Sequence, residues 1–489
     1  MPTTPQRNDP SYASDYAEFI CRYPGYGAGG DLDAHRAHDF ARLDQSGDVY
    51  LDYTGAGLYA ESHVREHVDL LTSNVFGNPH STNPTSVAMT ELAESARGAV
   101  LAHFRADPDE YVAIFTPNAS GALKLVAESY PFGPGGTYLL SYDNHNSVNG
   151  IREFARARGA RVVYAPVRPP DMRLDDGIVR RLLDEGASGA ARLFAFPAQS
   201  NFSGVLHPLS WVARAQERGW DVLLDAAAYA PCHRLDLSAV QPDFVSLSFY
   251  KMFGYPTGVG ALLARRRALA KMRRPWFAGG TIAYASVTEP RHDLHEGAEA
   301  FEDGTLNYLA LPAIESGLRR LADGHLDAIH DRVMSLTAWT LDQFTRLRYP
   351  SGSPLVQVYG PLNATGRGGA IAFNLIDERG ALIDHREVER RANGVRISLR
   401  TGCFCNPGAG EAALGISGEE LASCFRSNDR MTIDTFRGCL TDKGSGSVRV
   451  SFGVASTFDD ARTLVRFVGA FLDPDRSGHD RQIDVTTAV

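Results

Sequence analysis

Between residues 48 and 265, short apolar runs recur along the chain, each followed by a polar turn and then by a stretch with helical spacing. YVAIFT (111–116), TYLLSY (137–142), RVVYAPV (161–167), RLFAFP (192–197), DVLLDA (221–226), FVSLSF (244–249) and GVGALLA (258–264) are apolar at most positions. A strand with one solvated face alternates apolar and polar residues, so these continuous runs predict strands covered on both faces. Segments between them, such as GALKLVAESY and IREFARARG, repeat apolar residues at helical spacing. The alternation predicts an α/β fold whose large domain holds a mostly parallel, seven-stranded sheet with helices on both faces. Ligands of such sheets gather at the carboxyl ends of the strands, which makes the residues just after each run the first place to look for chemistry.

After about residue 310 the pattern changes. ESGLRRLADGHLDAIHDRVMSLTAWTLDQF predicts a long helical stretch, AIAFNLI and SVRVSFGV predict strands, and FDDARTLVRFVGAFL predicts a closing helix. The expected organisation is an N-terminal segment (1–47) packing on a small domain, a large domain (48–310), a smaller C-terminal α/β domain (311–473) and a flexible tail (474–489). A net charge of −9 argues against a general nucleic-acid binder, which needs a basic surface to neutralise phosphates. The one basic cluster, RRRALAKMRRP (265–275), reads as a solvated face flanking a helix. The first residues lack the apolar core of a leader peptide, and no apolar run reaches the ~18 residues of a membrane span. Six cysteines without framework spacing suit a reducing cytoplasm.

The strand ends supply an ordered set of candidates. Ala119 and Ser120 sit where a turn opens a helix, a place where free N–H groups and a hydroxyl suit a phosphate, although Ser is also an ordinary helix cap. His145 follows the next strand, where a structural histidine is the plainer reading. Gln199 and Asn201 offer neutral hydrogen bonds, and loop amides are common for turn reasons alone. Asp225 closes an apolar strand, where an unpaired carboxylate is costly and calls for a cation. Lys251 stands just past a strand, flanked by Ser248, Tyr250 and glycines, and a buried lysine is costly unless its pKa falls or it is covalently engaged. Taken together they ask for one ligand with a phosphate, a ring nitrogen needing a carboxylate, an aromatic face and an aldehyde. Pyridoxal 5′-phosphate (PLP) has all four: Asp225 would keep its ring nitrogen protonated, Lys251 would capture its aldehyde and His145 would stack on its ring.

With those residues in place, the chain resembles the class V aminotransferase group of fold-type I (aspartate aminotransferase-like) PLP enzymes, which includes the cysteine desulfurases. NVFGNPHS (74–81), PAQSNFSGV (197–205), LLDAAAY (223–229), SFYKMFGYPTGVGALLARR (248–266), LRTGCFCNPGA (399–409) and GSVRVSFG (446–453) look like the desulfurase portion of molybdenum cofactor sulfurases, over about 48–470. The resemblance implies that Ala119 and Ser120 contact the phosphate, that His145 or its neighbour Asn144 stacks on the ring, and that Asn201 lies near a cofactor oxygen and the substrate carboxylate. It also implies Asp225 as partner of the ring nitrogen, Lys251 as the aldehyde-binding lysine, Arg449 as the holder of the substrate carboxylate, and Ser248 and Tyr250 beside the cofactor. Arg400 is placed with Arg449 on the substrate side. Thr305, in FEDGTLNY, resembles a threonine that reaches the neighbouring subunit's phosphate, which implies a homodimer. Where ordinary cysteine desulfurases have a glutamine three residues after the aspartate and His-Lys, this chain has Ala228 and Tyr250-Lys251, in agreement with the sulfurase pattern. Sulfurases of eukaryotes carry a further C-terminal domain that handles the molybdenum cofactor, and the resemblance leaves the sulfur acceptor, a protein or a cofactor, open.

Cys403 and Cys405, one residue apart, admit three readings: half of a metal site, a redox pair, or a reactive thiolate with a neighbour. A zinc site wants four ligands, for which only Cys424 and Cys439 could be recruited, and a disulfide between residues so close is strained. No metal is expected. The resemblance implies Cys405 as the nucleophile, a thiolate on a flexible loop that takes sulfur from L-cysteine as a persulfide and leaves alanine, with Lys251 removing the Cα proton. The alternative is a PLP-dependent lyase or aminotransferase of specialised metabolism with Cys405 structural. GYGAGG (25–30) matches G-x-G-x-x-G without a preceding strand, and HDLHEGAE (292–299) fits no zinc spacing.

Overall fold

A computed structural model describes residues 11–27, 31–185, 190–322, 325–427, 435, 438–439 and 444–473; the expected tail at 474–489 lies outside the described residues. The seven apolar runs form one sheet, with strands β1 (Tyr111–Thr116), β2 (Thr137–Ser141), β3 (Arg161–Ala165), β4 (Arg192–Pro197), β5 (Asp221–Asp225), β6 (Phe244–Ser248) and β7 (Gly260–Arg265). Its order is β1-β7-β6-β5-β4-β2-β3, and every pair is parallel except those made by β7. The chain between Ser248 and Gly260 is too short for a parallel crossover, so β7 returns antiparallel. Both faces are covered: Ala113 and Phe115 enter one hydrophobic cluster, Val112 and Ile114 the other. This two-sided burial is why the strands read as unbroken apolar runs.

A second sheet, entirely antiparallel, contains β8 (Val356–Tyr359), β9 (Ala370–Leu375), β10 (Arg400–Gly402) and β11 (Ser447–Ser451) in the order β8-β9-β11-β10. The sequence pattern anticipates β9 and β11. It does not reveal β8 or β10, which are short and carry polar residues. The helix expected across 315–344 is two helices: Ala322 is extended and closes the first of them, Pro312–Leu321, and the second runs His325–Arg346. The basic cluster is more than a solvated face: Arg265, Arg267 and Lys271 pair with Glu110, Asp243 and Asp221, and the buried Arg274 pairs with Glu128 and Asp303. No described helix is long and apolar enough to cross a membrane.

The N-terminal segment is helical and lies against the helices of the second sheet. In α1 (Tyr12–Arg22), Phe19 stacks on Phe458 with centroids 4.6 Å apart, and Arg22 forks onto Asp342 at 2.9 and 3.2 Å. The part of GYGAGG that is described belongs to a short 3-10 turn (Pro24–Gly27) in which Tyr26 is buried beneath Arg332, so it serves packing. Further on, Val49–Tyr50 pairs in parallel with Ile397–Ser398, and Asp52 bridges to Ser451. That stitching carries Asp52 beneath β11, next to the residues that matter below.

Arg36 anchors the segment. It donates to Asp460 at 2.7 Å, to Asp44 at 2.8 Å and to the Ala455 carbonyl, and Asp460 is 5% exposed. Burial pushes the Asp460 carboxyl up, opposed by Arg36. Removing one partner of a buried pair strands the other charge, so Arg36→Leu should cost about 3 kcal/mol in urea unfolding at neutral pH. An unchanged unfolding midpoint would contradict this account of the anchor.

Candidate active site

The carboxyl ends of β4, β5 and β6 lie side by side, with Pro197 paired to Asp225 and Ser248 to Gly260. A cavity of about 350 Å³ opens there, walled by Asn201, Asp225, Ser248, Tyr250 and Lys251. Its far side is the N-terminus of α2 (Ala119–Ser129), where Ala119 and Ser120 reach the cavity and Asn118 caps the helix by accepting from Gly121 N at 2.9 Å. Gly260 permits this approach, since a Cβ there would lie within 2.7 Å of the Asn118 backbone. The Ser120 hydroxyl meets that of Ser147 at 2.6 Å. The N–H groups that a single cap leaves free at a helix N-terminus, with a hydroxyl beside them, form an anion cradle.

Opposite the cradle, Asp225 is buried and its Oδ1 accepts from Ala227 N at 3.1 Å and Ser246 Oγ at 3.0 Å. Desolvation pushes Lys251 below its ordinary value, opposed by the Asp225 charge. His145 caps a short helix, accepting from Ser147 N at 3.1 Å, and burial pushes it down as well, against Asp225. His145 lines the cavity, whereas Asn144 spends its amide on Ser141 and the Ala195 carbonyl. Of the two candidates for the ring face, His145 is the one on the cavity.

The cysteine pair occupies a tight turn in the loop that precedes Pro407. Phe404 and Cys405 both have left-handed backbone (φ 54° and 56°), and Asn406 N donates to Cys403 O at 2.8 Å, the I′ turn pattern. Non-glycine residues in this region cost about 1–2 kcal/mol each, so other contacts must hold the turn. Asn201 Nδ2 donates to Phe404 O at 2.7 Å, Asn146 N to Cys405 O at 2.7 Å, and Asn406 Nδ2 to Asp143 O at 2.7 Å and Asn201 Oδ1 at 2.9 Å. The Phe404 ring, 7% exposed, packs on Phe202 and lies under the Arg449 guanidinium at 4.8 Å. Cys405, Asn201 and the His145 loop are therefore one hydrogen-bonded unit, with both Cys403 and Cys405 exposed.

Arg449 (β11) and Arg400 (β10) are register partners. Arg449 donates to Asn201 O at 2.7 Å and to Asp52 Oδ1 at 2.9 Å, and burial pushes it below its ordinary value. Arg400 is bound to Asp52 Oδ2 at 2.9 and 2.5 Å, which pushes it up. Asp52 and Asn406 escaped the sequence reading. Asp52 ends the short run VYLD and could have been found by the strand-end rule; Asn406 carried no sequence signal.

Thr305 is not brought to this cavity. It is exposed beside a second cavity, where its hydroxyl accepts from Asn78 at 3.4 Å. Among the described residues no cluster of three His, Cys, Asp or Glu could hold a metal. Cys424 and Cys439 hydrogen-bond each other, which pushes the Cys424 thiol up to about 11.

The donor set fits PLP: an anion cradle at α2, a buried carboxylate at Asp225, a desolvated amine at Lys251 and an imidazole at His145, around a cavity of small-molecule size. Residues 49–464 match the aminotransferase class-V family model, and the chain belongs to that family: it is a PLP-dependent enzyme of fold-type I. It is 39% identical over 466 residues to the molybdenum cofactor sulfurase of Bos taurus and 38% over 479 residues to that of Homo sapiens, in each case over 91% of this chain and 52% of the relative. The chain thus spans about half the length of the curated relatives it matches. In fold it is similar to a cysteine desulfurase from Thermococcus onnurineus NA1 (TM-score 0.73, 22% identity, covering 90% of this chain and 98% of that one). The cysteine desulfurase CsdA from Escherichia coli superposes with a TM-score of 0.67 at 22% identity, over 90% of this chain and 98% of that one.

Burial pushes the Cys403 thiol up, which leaves less thiolate near neutral pH. In a Cys405→Ser variant, Cys403 should be alkylated by iodoacetamide at pH ~8 several-fold more slowly than glutathione, with the rate still rising above pH ~9. Peptide mass spectrometry reads this directly, and a Cys403 rate matching glutathione would contradict the desolvation of its sulfur.

Proposed function

We propose that this chain is an L-cysteine desulfurase that transfers sulfur from cysteine to its own Cys405 and releases alanine. The carrying observation is the hydrogen-bonded Cys403–Asn406 turn, which ties Cys405 to Asn201 and to the His145 loop beside the Lys251 cavity. In this reading Ala119 and Ser120 hold the cofactor phosphate, Asp225 holds the ring nitrogen, His145 covers the ring, and Ser248 and Tyr250 wall the pocket. Asn201 and Arg449 hold the substrate carboxylate, a task suited to a guanidinium fork. Thr305, exposed beside the second cavity, would meet the phosphate of a neighbouring subunit in a homodimer.

Bound PLP supplies an electron sink conjugated to the Cα of the amino acid. Lys251, with its pKa lowered by desolvation, holds a larger neutral fraction near physiological pH than an exposed lysine and is suited to take the Cα proton. His145, also pushed down by burial, stays neutral and faces the ring without adding charge. The Cys405 thiolate then forms an S–S bond to the substrate sulfur as the substrate C–S bond breaks. The electron pair left on Cβ is protonated and Lys251 returns the proton to Cα, giving alanine and a Cys405 persulfide. A sulfur acceptor, protein or cofactor, takes the outer sulfur in a second step. The reducing cytoplasm is the proposed setting.

Cys405→Ser should lower sulfide release from L-cysteine with dithiothreitol at least about a hundredfold, while the visible absorbance of the bound cofactor remains. Unchanged sulfide release, or pyruvate in place of alanine, would favour a lyase instead. Lys251→Ala should abolish the visible absorbance of the lysine-bound cofactor, and its persistence would sink the assignment of the cofactor lysine.

A further inference from the structure

Asp52 has no part in the chemistry above, yet it sits at the centre of the proposed carboxylate site. Its two oxygens are divided between the two arginines: Oδ1 accepts from Arg449 Nη2 at 2.9 Å, and Oδ2 from Arg400 Nε at 2.9 Å and Nη2 at 2.5 Å. The side chains of Arg449 and Asp52 are 3% and 10% exposed, while that of Arg400 is 51% exposed. The backbone is shaped for this contact, because a Cβ on Gly55 would lie within 2.8 Å of both Asp52 oxygens and of Arg400 Nη2. The same segment continues to Gly57, whose N–H donates to Tyr250 O at 3.0 Å, so it joins the arginines to the Lys251 helix.

Two guanidiniums and one carboxylate leave a single net positive charge, the complement of one α-carboxylate. We infer that Asp52 sets the charge specificity of the substrate site. By holding Arg400 with two hydrogen bonds and Arg449 with one, Asp52 leaves the arginine pair the charge to take one carboxylate, that of an amino acid with an uncharged side chain, and neither arginine free for a second. Amino acids with an acidic side chain are refused because their extra carboxylate meets Asp52 in place of an available arginine. Asp52 is thus a positioning residue that acts through Arg400 and Arg449. This inference rests on the proposed carboxylate role of Arg449.

The test uses the PLP-loaded enzyme and two amino acids that carry no sulfur, L-alanine and L-aspartate, with dissociation constants from titration calorimetry. The wild type should bind alanine at least about tenfold more tightly than aspartate, since one uncompensated charge near the surface is worth that much or more. Asp52→Asn keeps the shape and an acceptor for Arg449 but releases Arg400, and should shift the ratio toward aspartate by about tenfold or more. Adding Arg400→Gln to Asp52→Asn should cancel that shift. An unchanged ratio in Asp52→Asn, or a shift that survives the loss of Arg400, overturns the inference. If Asp52→Asn does not fold, Arg400→Gln alone decides: Asp52 then neutralises Arg449, and alanine should bind about tenfold more weakly, whereas unchanged affinity overturns it. Alanine binding that is unaffected in Arg449→Ala would instead remove the carboxylate reading on which the inference stands.

Discussion

Burying both Lys251 and Arg449 is the constraint around which this structure is arranged. Each is pushed down from its ordinary pKa by burial, and each is answered by a carboxylate, Asp225 for the lysine and Asp52 for the arginine. A buried charge without such a partner costs several kcal/mol. The two carboxylates arrive from different parts of the chain: Asp225 from the end of a central strand, Asp52 from the N-terminal segment stitched beneath β11. The segment around Asp52 therefore ties the second sheet, through Arg449, to the Lys251 helix, through the Gly57 N–H on Tyr250 O.

The same junction disciplines the cysteine turn. Two consecutive non-glycine residues in the left-handed region would open the turn if left alone, and they are held by Asn201, Asn146 and Asn406 and by the Phe404 ring under Arg449. The proposed nucleophile is thus presented on a turn that hydrogen bonds tie to Asn201 and to the His145 loop.

Much of this was legible in the sequence, for identifiable reasons. Strands buried on both faces read as continuous apolar runs, and all seven were found with the residues at their ends, including Asp225 and Lys251. Short strands such as β10, built from Arg400, Thr401 and Gly402, carry no apolar signature because register with β11 defines them. Asp52 ends a short apolar run and was within reach of the strand-end rule, whereas Asn406 acts through contacts made across more than two hundred residues of sequence, which no local pattern records. The Cys403–Asn406 turn was likewise hidden, since Phe and Cys are poor residues for left-handed backbone and only tertiary contacts put them there. The choice between Asn144 and His145, open in the sequence, follows from which of them the strand-end turn directs into the cavity.

The central claim is that the fixed Cys405 receives sulfur from L-cysteine. The most direct measurement is peptide mass spectrometry of the PLP-loaded protein after one equivalent of L-cysteine, without reductant, together with amino-acid analysis of the released product. The account predicts the added mass of one sulfur atom on the peptide containing Cys405, and alanine in equal amount. Pyruvate or a keto acid as the product, with no sulfur gained at Cys405, would contradict it.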